Sequence, residues 1–209
     1  QLSHYQRQGE APIIWCSELC DYTPGQALRG GIPICWPWFG ALELNPAAVK
    51  QQVISSTAAP AAHGIVRSRP WQLQAIDIID NNSTRLTLTL QLAKDQHPLW
   101  PYACDLQLVI NVGETLSMEF QVHNRSDQTV AFSSALHSYF QIEAIDQVRI
   151  EGLQQLNYID CLDGWREHQQ IGPVTITAEV DRIYRNTQQP ITIHDGDSRV
   201  IFIRSSGSN

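Results

Sequence analysis

The sequence has no apolar run approaching the ~18 residues of a helical membrane span, and no leader-like pairing of a basic and an apolar segment. Both absences point to a protein that works in water, and the expected location is cytoplasmic. Basic residues are scarce: 14 Lys and Arg stand against 21 Asp and Glu, for a formal net charge of −7. Non-specific nucleic-acid binding needs basic surface to displace counterions, so that partner class is excluded. A few local arginines could still hold an anion. The five cysteines, Cys16, Cys20, Cys35, Cys104 and Cys161, include no CxxC pair and meet no paired histidine spacing, so no metal site is expected. A chain of 209 residues that is 43% hydrophobic and 17% charged builds a core without disulfide staples and is no candidate for disorder. The thiols therefore read as free, in a reducing compartment. Asn81, Asn82 and Asn124 each open an N-x-[ST] triplet, a pattern common by chance. No internal repeat and no convincing 3.6-residue periodicity occur, and the length suits one domain over residues 1–209.

What is present is alternation of period two. Arg85 to Leu92 places Leu86, Leu88, Leu90 and Leu92 on one face, with Thr87, Thr89 and Gln91 on the other. Cys104 to Val112 repeats the pattern, and Leu116 to Val122 repeats it again. Each run predicts a strand with one face on a core. Gly113 in the stretch Asn111–Thr115 predicts a hairpin between the second and third runs. Weaker strand candidates are Ile13–Cys16, Val130–Ala135, Val148–Ile150, Val174–Thr177, Ile191–Ile193 and Val200–Ile203. Many strands separated by turns mean an all-β, antiparallel sandwich or barrel. The Ala-, Gln- and Pro-rich stretch Glu43–Ala62 is expected to be a long surface loop.

Four segments break the strand pattern. Arg29 to Gly40 combines glycines that permit unusual backbone angles with prolines that fix φ. Its Trp36, Trp38 and Phe39 offer flat apolar surface, suited either to a sugar's C–H face or to plugging one end of a sandwich. His63 to Trp71 gathers His63, Arg67 and Arg69 in an otherwise acidic chain. Guanidinium groups grip phosphate with paired, charge-assisted hydrogen bonds, and ordinary surface ion pairs are the plain alternative. If Ile65 and Val66 continue a strand, His63, Arg67 and Arg69 share a face. Ser133 to Phe140 sets His137 into a small apolar strand, as a satisfied core residue or as a general acid. In Glu179 to Arg185, Asp181 either accepts sugar hydroxyls or pairs with Arg182.

The strings RGGIPICWPWFG, HGIVRSRPW, ALHSYF and EVDRIY occur in that order between Arg29 and Tyr184. Together they resemble the aldose 1-epimerase (galactose mutarotase-like) proteins, specifically the glucose-6-phosphate 1-epimerase branch, also called hexose-6-phosphate mutarotases. The first and third strings carry most of the specificity. The resemblance implies a large antiparallel β-sandwich whose open face holds a sugar. It also implies a cofactor-free, monomeric isomerase that interconverts the α and β anomers of a hexose 6-phosphate. By motif position, Arg29 and Arg67 correspond to phosphate-gripping arginines and His63 to a substrate-binding histidine. His137 corresponds to the catalytic histidine and Asp181 to a sugar-hydroxyl acceptor. Trp36 and Trp38 would stack on the sugar or support the loop, and no role carries onto Arg69.

The same resemblance places the family's glutamate base beyond Asn209 and further strands before Gln1, so the chain reads as an excerpt of a longer protein. A non-catalytic sugar-phosphate binding or regulatory protein on the same fold remains the rival reading, since fold does not fix function. A hydrolase or lyase of sugar chains would want two close carboxylates, and no such pair is visible.

Overall fold

The three alternating runs become three adjacent strands, in the register their leucines require. The computed structural model describes residues 1–23, 25–26, 28–54, 59–197 and 199–207. It divides into two compact units, Gln1–Phe140 and Gln141–Asn209. The first unit holds β1 (Ile34–Cys35), β2 (Gln72–Asp80), β3 (Ser83–Leu92), β4 (Cys104–Val112), β5 (Leu116–Asn124) and β6 (Ala135–Leu136). β2, β3, β4 and β5 form one antiparallel sheet in chain order, and β1 pairs with β6.

Leu86, Leu88, Leu90 and Leu92 lie opposite Ile110, Leu108, Leu106 and Cys104. Ile110, Leu108 and Leu106 in turn lie opposite Met118, Phe120 and Val122. Because successive side chains alternate faces, this register gathers the apolar set on one side of the sheet. There it packs with Trp36, Trp38, Val49, Val66 and Trp100 in the core of this unit. Each fully buried large aliphatic side chain contributes about 1.5–3 kcal/mol, so a one-residue slip of any strand would be prohibitive. The opposite face is polar, and Gln72, Gln74, Thr89, Gln91, Gln107 and Gln121 line a shallow concavity of about 400 Å³ on it. The hairpin expected around Gly113 joins β4 to β5.

The second unit holds β7 (Val148–Glu151), β8 (Asn157–Asp160), β9 (Arg166–Gln169), β10 (Val174–Thr175), β11 (Arg182–Tyr184), β12 (Ile191–Asp195) and β13 (Arg199–Ile203). One sheet runs β10-β7-β12-β13 and a second runs β11-β8-β9, with every pairing antiparallel. Val148, Val174, Ile193 and Ile201 are buried here. Asp195 is buried as well, and its carboxylate accepts from Arg199 Nη2 at 2.6 Å and from the Glu143 N–H at 2.9 Å.

Several expectations need correction. β2 escapes the alternation test because register shifts between Leu73 and Ala75 and between Ile78 and Asp80 break its period. As an edge strand it also leaves Leu73, Ile76 and Ile78 exposed. β8, β9 and β11 are short and mostly polar, with too few apolar residues to show a pattern. Ile13–Cys16 makes only isolated bridges, Ile14 to Phe140 and Cys16 to Gly30. Val130–Ala135 supplies β6 with its last residue alone. Of the expected loop Glu43–Ala62, residues 55–58 lie outside the described residues. The rest includes part of a 3-10 turn at Leu42–Leu44, the helix α1 (Ala47–Lys50), and the buried side chains of Asn45 and Val49. Residues 64–69 do not continue a strand: only Gly64 bridges, to Trp36, and the chain then turns. Period two therefore does not set where His63, Arg67 and Arg69 point. Among the described residues no helix is long and apolar enough to cross a membrane.

Candidate functional site

Two loops and one short ribbon of the first unit build the site. The ribbon runs antiparallel: Tyr139 N–H donates to Gly31 O at 2.9 Å and His137 N–H donates to Pro33 O at 3.0 Å, continuing into the pairing of β6 with β1. The ribbon thus carries His137, and Arg29 lies two residues before Gly31, where its carbonyl accepts the Ser17 N–H at 2.9 Å. The loop after β1 contains a cis Trp36–Pro37 peptide. Its backbone meets the segment at His63: Ile65 N–H donates to Trp36 O at 2.9 Å, and His63 N–H donates to Gly40 O at 2.8 Å. Gly64 has φ +75°, and a Cβ there would stand 2.0 Å from Trp36 O. No side chain fits that crossing, so the glycine of the HG pair lets the two loops touch.

His63 itself holds φ +67°, a conformation uncommon outside glycine. Its Nδ1 accepts the Gly40 N–H at 3.2 Å, so the neutral ring carries its proton on Nε2. The His63 and His137 rings stack with centroids 5.4 Å apart and planes at 26°. Phe39 lies 5.0 Å from the His63 ring and 5.4 Å from the His137 ring, and Tyr139 meets His137 edge-on at 4.8 Å. Burial pushes the His63 pKa below the ordinary histidine value, and the charges of Arg67 and then His137 push it the same way. Burial and then the Arg67 charge likewise lower His137. Burial drives the neighbouring Cys35 thiol up to about 11 against the opposing pull of Arg67. Among the described residues no carboxylate forms an ion pair with Arg29 or Arg67. The result is a half-buried pair of neutral imidazoles beside an uncompensated guanidinium, which favours an anionic ligand.

The structure therefore brings His63, Arg67 and His137 together, whereas Arg29 is exposed and bonds through its backbone to the Cys16–Ser17 segment. Asp181 lies in the second unit, also exposed. Its backbone carbonyl accepts the Cys161 N–H at 2.9 Å. The Asp181–Arg182 pairing considered from sequence does not form: Arg182 lies 4.5 Å over the Tyr158 ring and 3.7 Å from Asp160. Trp36 and Trp38 are both 0% exposed. Neither offers a ring face to a sugar, which corrects the stacking expectation. They brace the loop from below, with Trp38 Nε1 donating to Ala61 O at 2.9 Å.

The exposed aromatic ring at the site is Phe39 instead. Its N–H donates to Ser133 Oγ at 3.0 Å, and its carbonyl accepts from the buried Asn45 amide at 2.9 Å. Phe39 was visible inside its motif but indistinguishable there from its tryptophan neighbours. Asn45 carried no signal, because its role rests on contacts distant in sequence. Among the described residues no group of three His, Cys, Asp or Glu side chains could hold a metal ion.

Antiparallel sheets throughout, together with this histidine and arginine cluster, define an all-β sandwich protein of the galactose mutarotase-like kind. The chain belongs to the aldose 1-epimerase family, whose model matches residues 1–209. It is 37% identical over 195 residues to a candidate glucose-6-phosphate 1-epimerase of Salmonella typhimurium, covering 93% of this chain and 60% of that protein. Against the corresponding Escherichia coli protein it is 32% identical over 195 residues, with 93% and 60% covered. A crystal structure of a candidate mutarotase from Salmonella typhimurium matches with a TM-score of 0.77 at 33% identity, covering 92% of this chain and 59% of that one. The chain spans 60% of the length of these curated relatives.

Proposed function

We propose that this chain supplies the phosphate-holding and acid–base side of a site that exchanges the α and β anomers of a hexose 6-phosphate, with glucose 6-phosphate as the favoured substrate. The observation that carries this reading is the stacked His63–His137 pair beside an Arg67 that, among the described residues, no carboxylate pairs. A neutral sugar would not need such a guanidinium, whereas a phosphate dianion would.

Anomer exchange opens a cyclic hemiacetal and recloses it after rotation about C1–C2. Opening requires a proton on the ring oxygen while one leaves the C1 hydroxyl. His137 gives the first proton and takes it back on closure. The C1 hydroxyl proton leaves to a second group, the glutamate that the family resemblance implies. At rest His137 is neutral, because burial and Arg67 hold its pKa down. A phosphate dianion on Arg67 offsets that charge, so substrate binding itself favours proton uptake by the imidazole. Arg29 and Arg67 hold the phosphate away from C1, fixing the ring while C1 stays free to turn. His63, with Nδ1 occupied by Gly40, presents a donor Nε2–H to a sugar oxygen. For Asp181 the family resemblance implies the role of a sugar-hydroxyl acceptor. A monomer in the cytoplasm belongs to this reading too.

The test is exchange NMR on glucose 6-phosphate with the whole gene product carrying this chain, compared with His137→Asn at equal concentration. The expected result is accelerated α-to-β exchange that falls by about 10²–10⁴-fold in the variant. An intact, folded protein that leaves the exchange at the buffer rate would end the reading. Equal kcat/KM for glucose and glucose 6-phosphate would remove the phosphate role of the arginines.

A further inference from the structure

Two of the five thiols meet, and the proposed mechanism uses neither. The Cys20 N–H donates to Ser17 O at 3.1 Å, closing a turn that brings Cys20 Sγ within 3.8 Å of Cys16 Sγ. Both thiols are half-buried, whereas Cys35 and Cys104 are sealed in the core. Leu19, at the tip of the turn, is 92% exposed, so small reagents reach this segment.

The backbone of Arg29 sits on the pair. Its N–H donates to Cys20 Sγ at 3.3 Å, and its carbonyl accepts from the Ser17 N–H at 2.9 Å. The same carbonyl lies 3.7 Å from Cys16 Sγ and 3.6 Å from Cys20 Sγ. The next residue, Gly30, is pressed against the turn: a Cβ there would stand 2.6 Å from Cys16 Cα. Whatever happens to the two sulfurs is therefore felt by Arg29.

We infer that Cys16 and Cys20 form an oxidation site that closes to an intramolecular disulfide and resets Arg29. The consequence for ligand binding rests on the proposed role of Arg29 in holding phosphate. Disulfide closure brings the sulfurs from 3.8 Å to about 2.05 Å. Peroxide is the oxidant class. The Cys20 thiolate, with the Arg29 N–H on its sulfur, attacks one peroxide oxygen; the O–O bond breaks, hydroxide leaves and is protonated, and a sulfenic acid remains. Cys16 sulfur then attacks Cys20 sulfur, losing its proton as the S–O bond breaks and water departs. Two thiols are oxidised by two electrons in all, and one peroxide becomes two waters. Burial and then the neighbouring Cys20 push the Cys16 thiol up, which disfavours Cys16 as the thiolate that meets peroxide first.

Closure removes both S–H donors facing the Arg29 carbonyl and draws Cys20 Sγ away from the Arg29 N–H. In a reducing compartment the pair rests as thiols and oxidises transiently.

The whole gene product is treated with hydrogen peroxide, and the tryptic fragment Gln8–Arg29, which contains both cysteines, is examined by mass spectrometry. The expected result is loss of two hydrogens, reversed by dithiothreitol and absent in Cys16→Ser. Stepwise oxygen addition without that loss would overturn the site. Affinity for inorganic phosphate is then measured by calorimetry on the reduced and oxidised forms. Oxidation is expected to weaken it about two- to tenfold, the worth of one or so hydrogen bonds, while peroxide-treated Cys16→Ser keeps the reduced value. Equal affinities would overturn the control of Arg29. If the reduced protein binds neither inorganic phosphate nor glucose 6-phosphate, the phosphate reading fails, and the fragment mass still decides the disulfide.

Discussion

His63 and His137, far apart in the chain, stack 5.4 Å apart with their planes at 26°, and Arg67 lowers the pKa of both. Two imidazolium rings at this spacing repel each other, so uptake of one proton opposes uptake of the second. The pair is thus tuned to hold at most one positive charge comfortably until an anion arrives.

Replacing Arg67 with Gln should move both titrations up toward the ordinary histidine value of 6.5. The sign follows from removing a positive charge that disfavours the imidazolium. Burial persists in the variant, so recovery is incomplete. Histidine ring resonances followed by NMR across the acid range would show it, and unmoved titrations would mean that Arg67 does not act on the pair.

The same lowered values make stability depend on pH. His63, His97 and His137 all have folded pKa values below 6.5, chiefly through burial. Between those folded values and 6.5 the unfolded chain binds more protons than the folded one. Stability therefore falls as pH drops through that window and is insensitive to these groups above it. Denaturant midpoints at about pH 7.5 and about pH 5.5 should differ, with the acid value lower; equal midpoints would contradict the assignment.

Gly64→Ala should be severe. The new methyl would overlap Trp36 O at 2.0 Å while the backbone stays at φ +75°. A left-handed conformation alone costs about 1–2 kcal/mol for a residue with a Cβ, so a loss of at least about 2 kcal/mol is expected. Chemical denaturation measures it. A neutral substitution would mean that the loops at Trp36 and His63 do not cross as described.

Asp195→Ala tests the second unit by itself. The carboxylate is 3% exposed and holds both Arg199 and the Glu143 N–H. Removing the carboxylate takes away the ion pair to Arg199, which keeps its bond to the Gln141 carbonyl, and leaves the Glu143 N–H without its acceptor, at a cost of about 1–3 kcal/mol. A much smaller loss in equilibrium unfolding would show that water already compensates the pair.

Strand content was readable wherever one face of a strand meets a core. In β3, β4 and β5 burial forces every second residue to be apolar, and that constraint is written locally. It was unreadable in β2, where bulges shift the period, and in β8, β9 and β11, which are too short and polar to carry one. For the site, residue types in the quoted strings marked His63, Arg67 and His137, which the fold then gathered. Trp36 and Trp38 show the limit of that reading. Nothing in the string tells an indole facing a ligand from one facing the core, and burial placed both inside and left Phe39 at the surface.

By itself, then, the sequence determined the all-β class, the apolar faces of the central strands and the chemical inventory of the site, because alternation and residue type are local properties. Tertiary structure alone decided which rings stack, that Arg67 stands beside them, that Asn45 and Ser133 hold Phe39, and that Cys16 meets Cys20 beside the Arg29 backbone. Those relations depend on backbone crossings such as Gly64 against Trp36, where contact is set by the path of the chain through space and not by spacing along it.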